Sequence, residues 1–442
     1  MIDLKALRDR RDAVTELLER RGVKTADIDR LFEVDQQCRA VSAERDLLRA
    51  EVNALSKSVG EVMRSGDRQR AETLRNESRA LGEKVAELEA EVALLEAERT
   101  QLHLVLPNLP SNDVPVGTGE EGNVVLRYYS PTLGVQSPEE FQLPVFPAYQ
   151  TVPHWEIGTE LGILEMTRAA KLSGSMFALY RGMGSRLLRA LTSFALDSHS
   201  DLYEELRPPT LVRRETMLST GHLPKFAEDA YTIESDDLYA IPTAEVPLTS
   251  FFRDEIIPES ELPIRFTAST ACFRREAGSA GRDTRGLLRL HEFDKVELVA
   301  LCSEAQVSEV FEDMLGRAEG ILRALGISYR VLALCTGDLG GSAAQTYDLE
   351  AYSPGTGKWL EVSSVSWCSD YQARRASIRY RREDGEGTAL VHTLNGSALA
   401  WARVWAVIVE IGRQSDGTVM IPEVLRPYLG GRECISPRER SF

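Results

Sequence analysis

Apolar side chains recur at alternating intervals of three and four residues through most of the first hundred positions, and no proline interrupts them before Pro107. One series runs Leu31, Val34, Cys38, Val41, Arg45, Leu48, Val52, Leu55 and Val59. A second runs Leu74, Ser78, Leu81, Val85, Leu88, Val92, Leu95, Arg99 and Leu102. A seam of this period, sustained over about four heptads, specifies a coiled coil rather than a helix lying on a globular core. Residues 60–66, bounded by two glycines, read as the turn between the series. The predicted object is an antiparallel helical hairpin, each arm roughly 45–55 Å long at about 1.5 Å per residue. With only the seam apolar, the hairpin should project into solvent. Around its tip, residues 57–79, six basic side chains (Lys57, Arg64, Arg68, Arg70, Arg75, Arg79) stand against four acidic ones, which suits an anionic partner. A solvated coiled coil that dimerises or spaces domains accounts for this segment equally well.

At LVLPNLPSNDVPVGTGEEGN (104–123) proline, glycine and asparagine replace the heptads, which sets a domain boundary and predicts domains 1–105 and 106–442. Beyond it, short β-rich runs (FTASTACF, LHEFDKVELVAL, KWLEVSSVSW) mix with helical stretches (SRLLRALTSFALDSHS, AQVSEVFEDMLGRAEGILRAL). They do not alternate as regular βαβ units, so the expected class is α+β: an antiparallel sheet flanked by helices.

Composition excludes several functions. The 442 residues carry 68 acidic and 52 basic side chains, a net charge of −16, which argues against a non-specific nucleic-acid binder but permits contact with RNA through a local patch. No apolar window reaches the length of a membrane span, and the charged start MIDLKALRDRRD is unlike a signal peptide. Six dispersed cysteines without a Cys-x-x-Cys pair read as reduced thiols of a cytoplasmic protein, and no zinc is expected.

P-loop, Rossmann, zincin and nucleophile-elbow signatures are missing from the sequence. The richest stretch is ACFRREAGSAGRDTRGLLRLHEFDKVEL (271–298). It reads as a strand ending in Arg274, Arg275 and Glu276, a loop holding Arg282, Asp283 and Arg285, and a return strand over 287–298. Such a hairpin can grip a triphosphate with its arginines and stack a base on Phe293; a surface hairpin with solvated charges fits the composition as well. In KWLEVSSVS, Glu361 and Ser364 stand three apart near a strand end, a pairing that suits Mg²⁺ held mainly by substrate phosphates, although an isolated Glu is commonly plain surface. TLNGSALAWARVWAVIVEI (393–411) passes from a Gly/Ser turn into an apolar helix whose Arg403 needs a partner, either a bound anion or a core carboxylate.

Taken together, these runs resemble bacterial-type seryl-tRNA synthetases, class II aminoacyl-tRNA synthetases, over essentially the whole chain. DLYEELRPPTLV (201–212) resembles class II motif 1, the 271–298 hairpin motif 2, and 393–411 motif 3. IPTAEVPLT, FDKVEL, YDLEAYSPGTGKWLEVSS, QARRASIRYR and HTLNGS resemble elements specific to the serine enzymes. The resemblance implies a tRNA-binding coiled-coil arm followed by a class II catalytic domain on an antiparallel sheet. It implies ATP-dependent activation of L-serine and transfer to tRNA(Ser), and also to tRNA(Sec), by a homodimer joined through motif 1, with Mg²⁺ and without a membrane.

The resemblance also implies site residues. Thr243, Ala244 and Glu245 would close over serine, Glu297 would pair with its ammonium, and Ser397 would bond its hydroxyl. Arg274 would hold the serine carboxylate and the α-phosphate. Arg275 and Glu276 would meet ATP, with Glu276 on the adenine amino group and Phe293 stacked on the base. Glu361 and Ser364 would bind the metal, Val362 and Ser363 would line the ATP site beside them, and Arg403 would reach the γ-phosphate. Arg274 and Arg403 are the expected catalytic groups, and residues 277–285 a loop that meets ATP and then the tRNA 3′ end.

Several positions depart from the family's pattern: Met176, Glu292, Val365, Trp367, Trp401, Trp405 and Ile411. They leave open a specialised copy serving a biosynthetic pathway. A catalytically silent RNA-binding paralogue is a further alternative, but it should have lost residues that are present here.

Overall fold

The computed structural model describes residues 1–277 and 285–437. The chain divides into two compact units, one spanning Ile2–Leu106 and the other beginning at Pro107.

In the first unit, α1 (Leu4–Asp9) and α2 (Arg11–Arg20) precede two long helices, α3 (Thr25–Ser65) and α4 (Arg68–Val105). Leu31, Val34 and Cys38 are buried, as are Ala71 and Val92, while the remaining seam positions are half-buried. The turn falls at the very end of the expected 60–66 interval: Gly60 stays helical on an exposed face, and the chain reverses over Gly66 and Asp67. The reason is conformational. The reversal needs a left-handed residue, which Gly66 supplies at φ 87°, and the Asp67 carboxylate then caps α4 by accepting from Arg70 N at 3.0 Å. A glycine inside a long helix costs only about 1 kcal/mol and does not by itself end it. Charge pairs finish the bundle: Arg8 is bidentate to the nearly buried Asp35 at 2.6 and 2.8 Å, and Arg30 Nε reaches Glu98 at 3.0 Å.

The second unit is built on a nine-stranded sheet. In chain order its strands are β1 (Val124–Ser130), β2 (Gly134–Gln136), β3 (Glu204–Glu205), β4 (Ile264–Phe273), β5 (Glu292–Cys302), β6 (Tyr329–Ala333), β7 (Gln345–Ser353), β8 (Lys358–Trp367) and β9 (His392–Ala400). Their spatial order is β2-β1-β6-β7-β8-β9-β5-β4-β3. Neighbours pair antiparallel except β3 with β4, which run parallel. The sheet is therefore mixed at one edge, because the chain reaches β4 from β3 by a long excursion and not by a hairpin. Helices α5 (His154–Glu160), α6 (Met183–Asp197), α7 (Val307–Ala324) and α8 (Trp401–Ile411) accompany it. No helix among the described residues is long and apolar enough to cross a membrane.

Strand β5 shows how the core positions the site. Its even residues Val296, Leu298, Ala300 and Cys302 join the large cluster with α6, α7 and α8, while Val299 and Leu301 join a second cluster on the opposite face with Phe266, Ala268 and Ile378. Side chains alternate along a strand, so Lys295 and Glu297 continue that second face toward the strand's beginning, whereas the Phe293 ring packs against the large cluster. Two sequence expectations shift here. The return strand of the 271–298 hairpin starts at Glu292 and not at 287, because Leu287, Leu288 and Leu290 turn into the core. Gly396 and Ser397 form no turn but lie inside β9, and the apolar helix begins at Trp401.

Candidate active site

Strands β5, β8 and β9, with Arg274 just past the end of β4, present polar side chains to one cavity of about 290 Å³. Register explains the assembly. Ser397 lies opposite Glu297, Thr270 opposite Lys295 and Cys272 opposite Phe293. The floor is a buried network. The Lys295 ammonium pairs with Glu297, Thr243 Oγ1 donates to Glu297 Oε2 at 3.1 Å, and Gln372 Nε2 donates to Glu245 Oε1 at 2.7 Å. Asn395 Nδ2 reaches both carboxylates, and Gln372 is itself held by Thr393 Oγ1 at 2.6 Å.

Burial pushes both carboxyls up. For Glu245 the Gln372 hydrogen bond and the Lys295 and Arg274 charges act against it; for Glu297 the Lys295 charge and hydrogen bond do. The neighbouring His222 imidazole is pushed down to about 3 by burial and then by the Arg274, Lys295 and Arg375 charges, so it stands neutral at pH 7, with Nδ1 2.8 Å from Thr220 Oγ1.

One wall belongs to the hairpin. Arg274 is exposed just past the end of β4, its Nε bonding Pro242 O at 3.4 Å and its guanidinium carbon 5.2 Å from the Phe293 ring centre. Its backbone N–H donates to His291 O at 2.9 Å, which closes the two arms together. Glu276 turns inward at φ 52° and pairs with Arg289 from the return arm. Residues 278–284, with Arg282 and Asp283, are outside the described residues.

The other wall carries Glu361 and Ser364. In a regular strand, residues three apart face opposite sides. Here the pairing of β7 with β8 slips between Leu349 and Glu350, so Val362 is an extra residue and both Glu361 and Ser364 face the cavity. The pair lies mid-strand and not near a strand end as the sequence suggested, and the bulge is what makes it a donor pair. Arg403 finds neither of its two expected partners alone. Its Nη1 donates to Glu361 O at 2.7 Å, its Nε donates to Leu288 O at 3.1 Å, and the Glu361 carboxylate lies 3.6 Å away. An adjoining cavity of about 620 Å³ shares Leu288, Arg289, Glu361, Ser364 and Arg403, so the space continues past the two arginines.

Thr243, Glu245, Arg274, Glu276, Phe293, Glu361, Ser364, Ser397 and Arg403 thus come together around one cavity. Glu297 lies behind Thr243, fully buried. Ala244, Val362 and Ser363 are buried and do not line the cavity, and Arg275 is exposed outside it, its backbone N–H donating to Asp229 O. None of the three departing tryptophans, Trp367, Trp401 and Trp405, lines the site. Trp405 is fully buried, its Nε1 donating to Gly184 O at 3.2 Å, and Trp401 lines a small side cavity with Glu292, Phe293 and Asp294. Lys295, Asn395, His222, Arg289 and Gln372 were not singled out from the sequence. Period-two spacing from Glu297 and Ser397 marks Lys295 and Asn395, whereas no local pattern marks the other three.

The chain is similar to known proteins over essentially its whole length. Residues 1–110 match the family model "Seryl-tRNA synthetase N-terminal domain", and residues 231–412 match "tRNA synthetase class II core domain (G, H, P, S and T)". The serine–tRNA ligase of Geobacillus kaustophilus is 46% identical over 98% of this chain and 100% of its own; that of Exiguobacterium sibiricum is 45% identical over the same shares. A crystal structure of seryl-tRNA synthetase from Pyrococcus horikoshii complexed with ATP superposes with a TM-score of 0.90 at 36% identity, covering 99% of this chain and 100% of that one. With full-length identity at this level and a shared fold, this chain belongs to the seryl-tRNA synthetase family of class II aminoacyl-tRNA synthetases.

Proposed function

We propose that this chain activates L-serine with ATP to seryl-adenylate and pyrophosphate, then transfers the seryl group to the 3′ end of tRNA(Ser) and of tRNA(Sec). The observation that carries the reading is the buried cluster of Glu245, Glu297 and Lys295: two carboxylates against one ammonium leave one negative charge that the ammonium of an amino acid balances. Ser397, opposite Glu297, stands where a small hydroxylated side chain can bond it. A pocket whose buried polar groups are satisfied by a substrate hydroxyl rejects alanine strongly, because they are otherwise left unpaired; threonine is excluded by size alone.

Activation is an in-line displacement at the α-phosphorus. The serine carboxylate oxygen forms the new P–O bond as the bond to pyrophosphate breaks. No base is required, so positioning and charge neutralisation supply the catalysis. Arg274, which lines the cavity with its guanidinium near the Phe293 ring, would bind the serine carboxylate and the α-phosphate while the adenine stacks on Phe293 and meets Glu276. Arg403, at the passage to the adjoining cavity, suits the γ-phosphate. Transfer follows when a terminal hydroxyl of the tRNA attacks the activated carbonyl and AMP leaves.

The donor set of Glu361 and Ser364 fits Mg²⁺, which takes a carboxylate and a hydroxyl and otherwise relies on phosphates and water. Nearby, Asp348 has a buried Oδ1 without a hydrogen-bond partner among the described residues. Its carboxyl is raised well above the usual range by burial and then by the Glu361 charge, so it favours its proton, and a divalent cation beside it would favour the carboxylate instead. Bound there, the metal would neutralise charge on the phosphates.

The arm of α3 and α4 is the proposed grip on tRNA, its six tip cations all exposed. The motif 1 segment, with edge strand β3 and the exposed Leu211 and Phe251, is the proposed homodimer surface, and the cytoplasm the proposed location. Serine-dependent ATP–pyrophosphate exchange followed by charging of purified serine tRNA tests the reading. Absence of both activities sinks it, and exchange without charging points to another acceptor.

A further inference from the structure

The return arm of the 271–298 hairpin lines the cavity with Leu287, Leu288, Arg289 and Leu290. The group that holds its backbone lies behind it. His154, the first residue of α5, and Glu410, near the end of α8, are both fully buried, with Nδ1 of the ring 2.8 Å from Glu410 Oε1. Glu410 accepts four hydrogen bonds. His154 N at 3.0 Å and His154 Nδ1 donate to Oε1, and Ser353 Oγ at 2.6 Å and Gly355 N at 3.0 Å donate to Oε2. The tautomer follows from the other side of the ring: Leu287 N–H can donate only to a nitrogen with a lone pair, so Nε2 is the acceptor and Nδ1 carries the hydrogen that faces Glu410. That lone pair accepts Leu287 N–H at 3.0 Å.

We propose that His154, oriented by Glu410, is a positioning residue that fixes the return arm of the ATP-binding hairpin; the inference rests on the functional reading above. The arm transmits the placement in two ways. Leu288 O, one residue on, accepts Arg403 Nε at 3.1 Å, and Arg289 pairs with Glu276. Gly286 shows how closely the arm is pressed onto the ring. It sits at φ 67°, and a Cβ there would come within 2.4 Å of His154 Nε2 and 2.6 Å of the Trp155 ring. Among the described residues the side-chain hydrogen bonds of Thr243, Glu245 and Glu297 run to one another, Lys295, Gln372 and Asn395 and not to this tether, so ATP and serine affinity should separate when it is cut.

The test measures ATP binding by calorimetry without serine, and serine KM by pyrophosphate exchange, in the full-length protein. Loss of one buried acceptor predicts that His154→Phe weakens ATP binding about ten- to a hundredfold while serine KM stays within about threefold. Glu410→Gln, whose amide sets an NH₂ against facing donors, should give the same split. His154→Gln, which returns an acceptor near the Nε2 position, should recover part of the loss. Gly286→Ala pushes the arm from the other side, and combining it with His154→Ala should weaken ATP binding less than the two single effects multiplied. If His154→Phe fails to fold, Glu410→Gln, Gly286→Ala and hydrogen exchange of the wild-type Leu287 amide decide. Equal weakening of ATP and serine, unchanged ATP affinity, or a rapidly exchanging Leu287 amide overturns the proposal. A wild-type protein that binds ATP with this dependence on His154 but shows no serine-dependent exchange would overturn the functional reading and leave the tether standing.

Discussion

Glu245 and Glu297 share one amide: Asn395 Nδ2 lies 3.3 Å from Glu245 Oε2 and 3.5 Å from Glu297 Oε1. The two carboxylates come from different elements, the short helix Glu245–Thr249 and strand β5. A strand residue therefore links the two carboxylates across the floor of the cavity.

Glu297→Gln removes one negative charge from that floor and leaves Lys295 buried without its carboxylate. Serine KM should rise about ten- to a hundredfold, as expected for loss of a buried charge-assisted hydrogen bond, with ATP KM changed by less than about threefold. Steady-state exchange at varied serine and varied ATP separates the two. An equal rise in both would mean that Glu297 only supports the fold.

Much of this arrangement was legible before any coordinates, and for a physical reason. Seam residues such as Leu31 and Val92 are marked by period, and Arg274, Glu276 and Phe293 by their place at the ends of paired strands. What escaped was set by pairing irregularities and by contacts between distant segments. The extra residue Val362 turns Glu361 and Ser364 to one face, and no local pattern predicts a bulge there. Gln372 reaches Glu245 from 127 residues away, and the Leu287 amide finds His154 from 133 away. The interval 60–66 holds the reversal at Gly66, but two glycines flank it and only backbone geometry distinguishes the one that turns the chain.

Arg274→Ala and Glu361→Ala should each abolish serine-dependent exchange. Arg274 is exposed, and the Glu361 carboxylate is half exposed, so neither truncation opens a core cavity, and the oligomeric state on a sizing column should match wild type. Exchange at the wild-type rate by either variant would remove that residue from the machinery.

The raised carboxyls of Glu245 and Glu297 give the acid limb its sign. A carboxyl pushed up by burial takes its proton at a higher pH than an exposed one, and once neutral it no longer attracts an ammonium. As pH falls through their raised values, serine KM should climb earlier and more steeply than ATP KM. In Glu297→Gln the serine profile should be flatter. Parallel acid limbs for both substrates would assign the dependence elsewhere.

Glu292 tunes a second acid. Asp294 is raised to about 6, first by burial and then by the Glu292 charge, and it lines the side cavity behind Phe293 with Trp401. Removing the like charge in Glu292→Gln should lower the Asp294 value, so that it ionises at a lower pH. Carboxyl carbon shifts followed by NMR across pH 4–8 check this. An unmoved Asp294 titration would leave burial as the whole cause.

Deletion of residues 31–102, rejoined by a short linker, separates the two half-reactions. The cavity is lined only by residues of the second unit, and the deleted helices bury their seam against each other. Seryl-adenylate formation should therefore persist at close to the wild-type rate. Charging should fall by orders of magnitude, because Lys57, Arg64, Arg68, Arg70, Arg75 and Arg79 are lost with the tip and with them the charge that meets a polyanion. Replacing these six with glutamine in the intact chain should reproduce the charging defect more mildly and weaken its dependence on salt. Full charging by the shortened protein would show that tRNA is held by the catalytic unit alone.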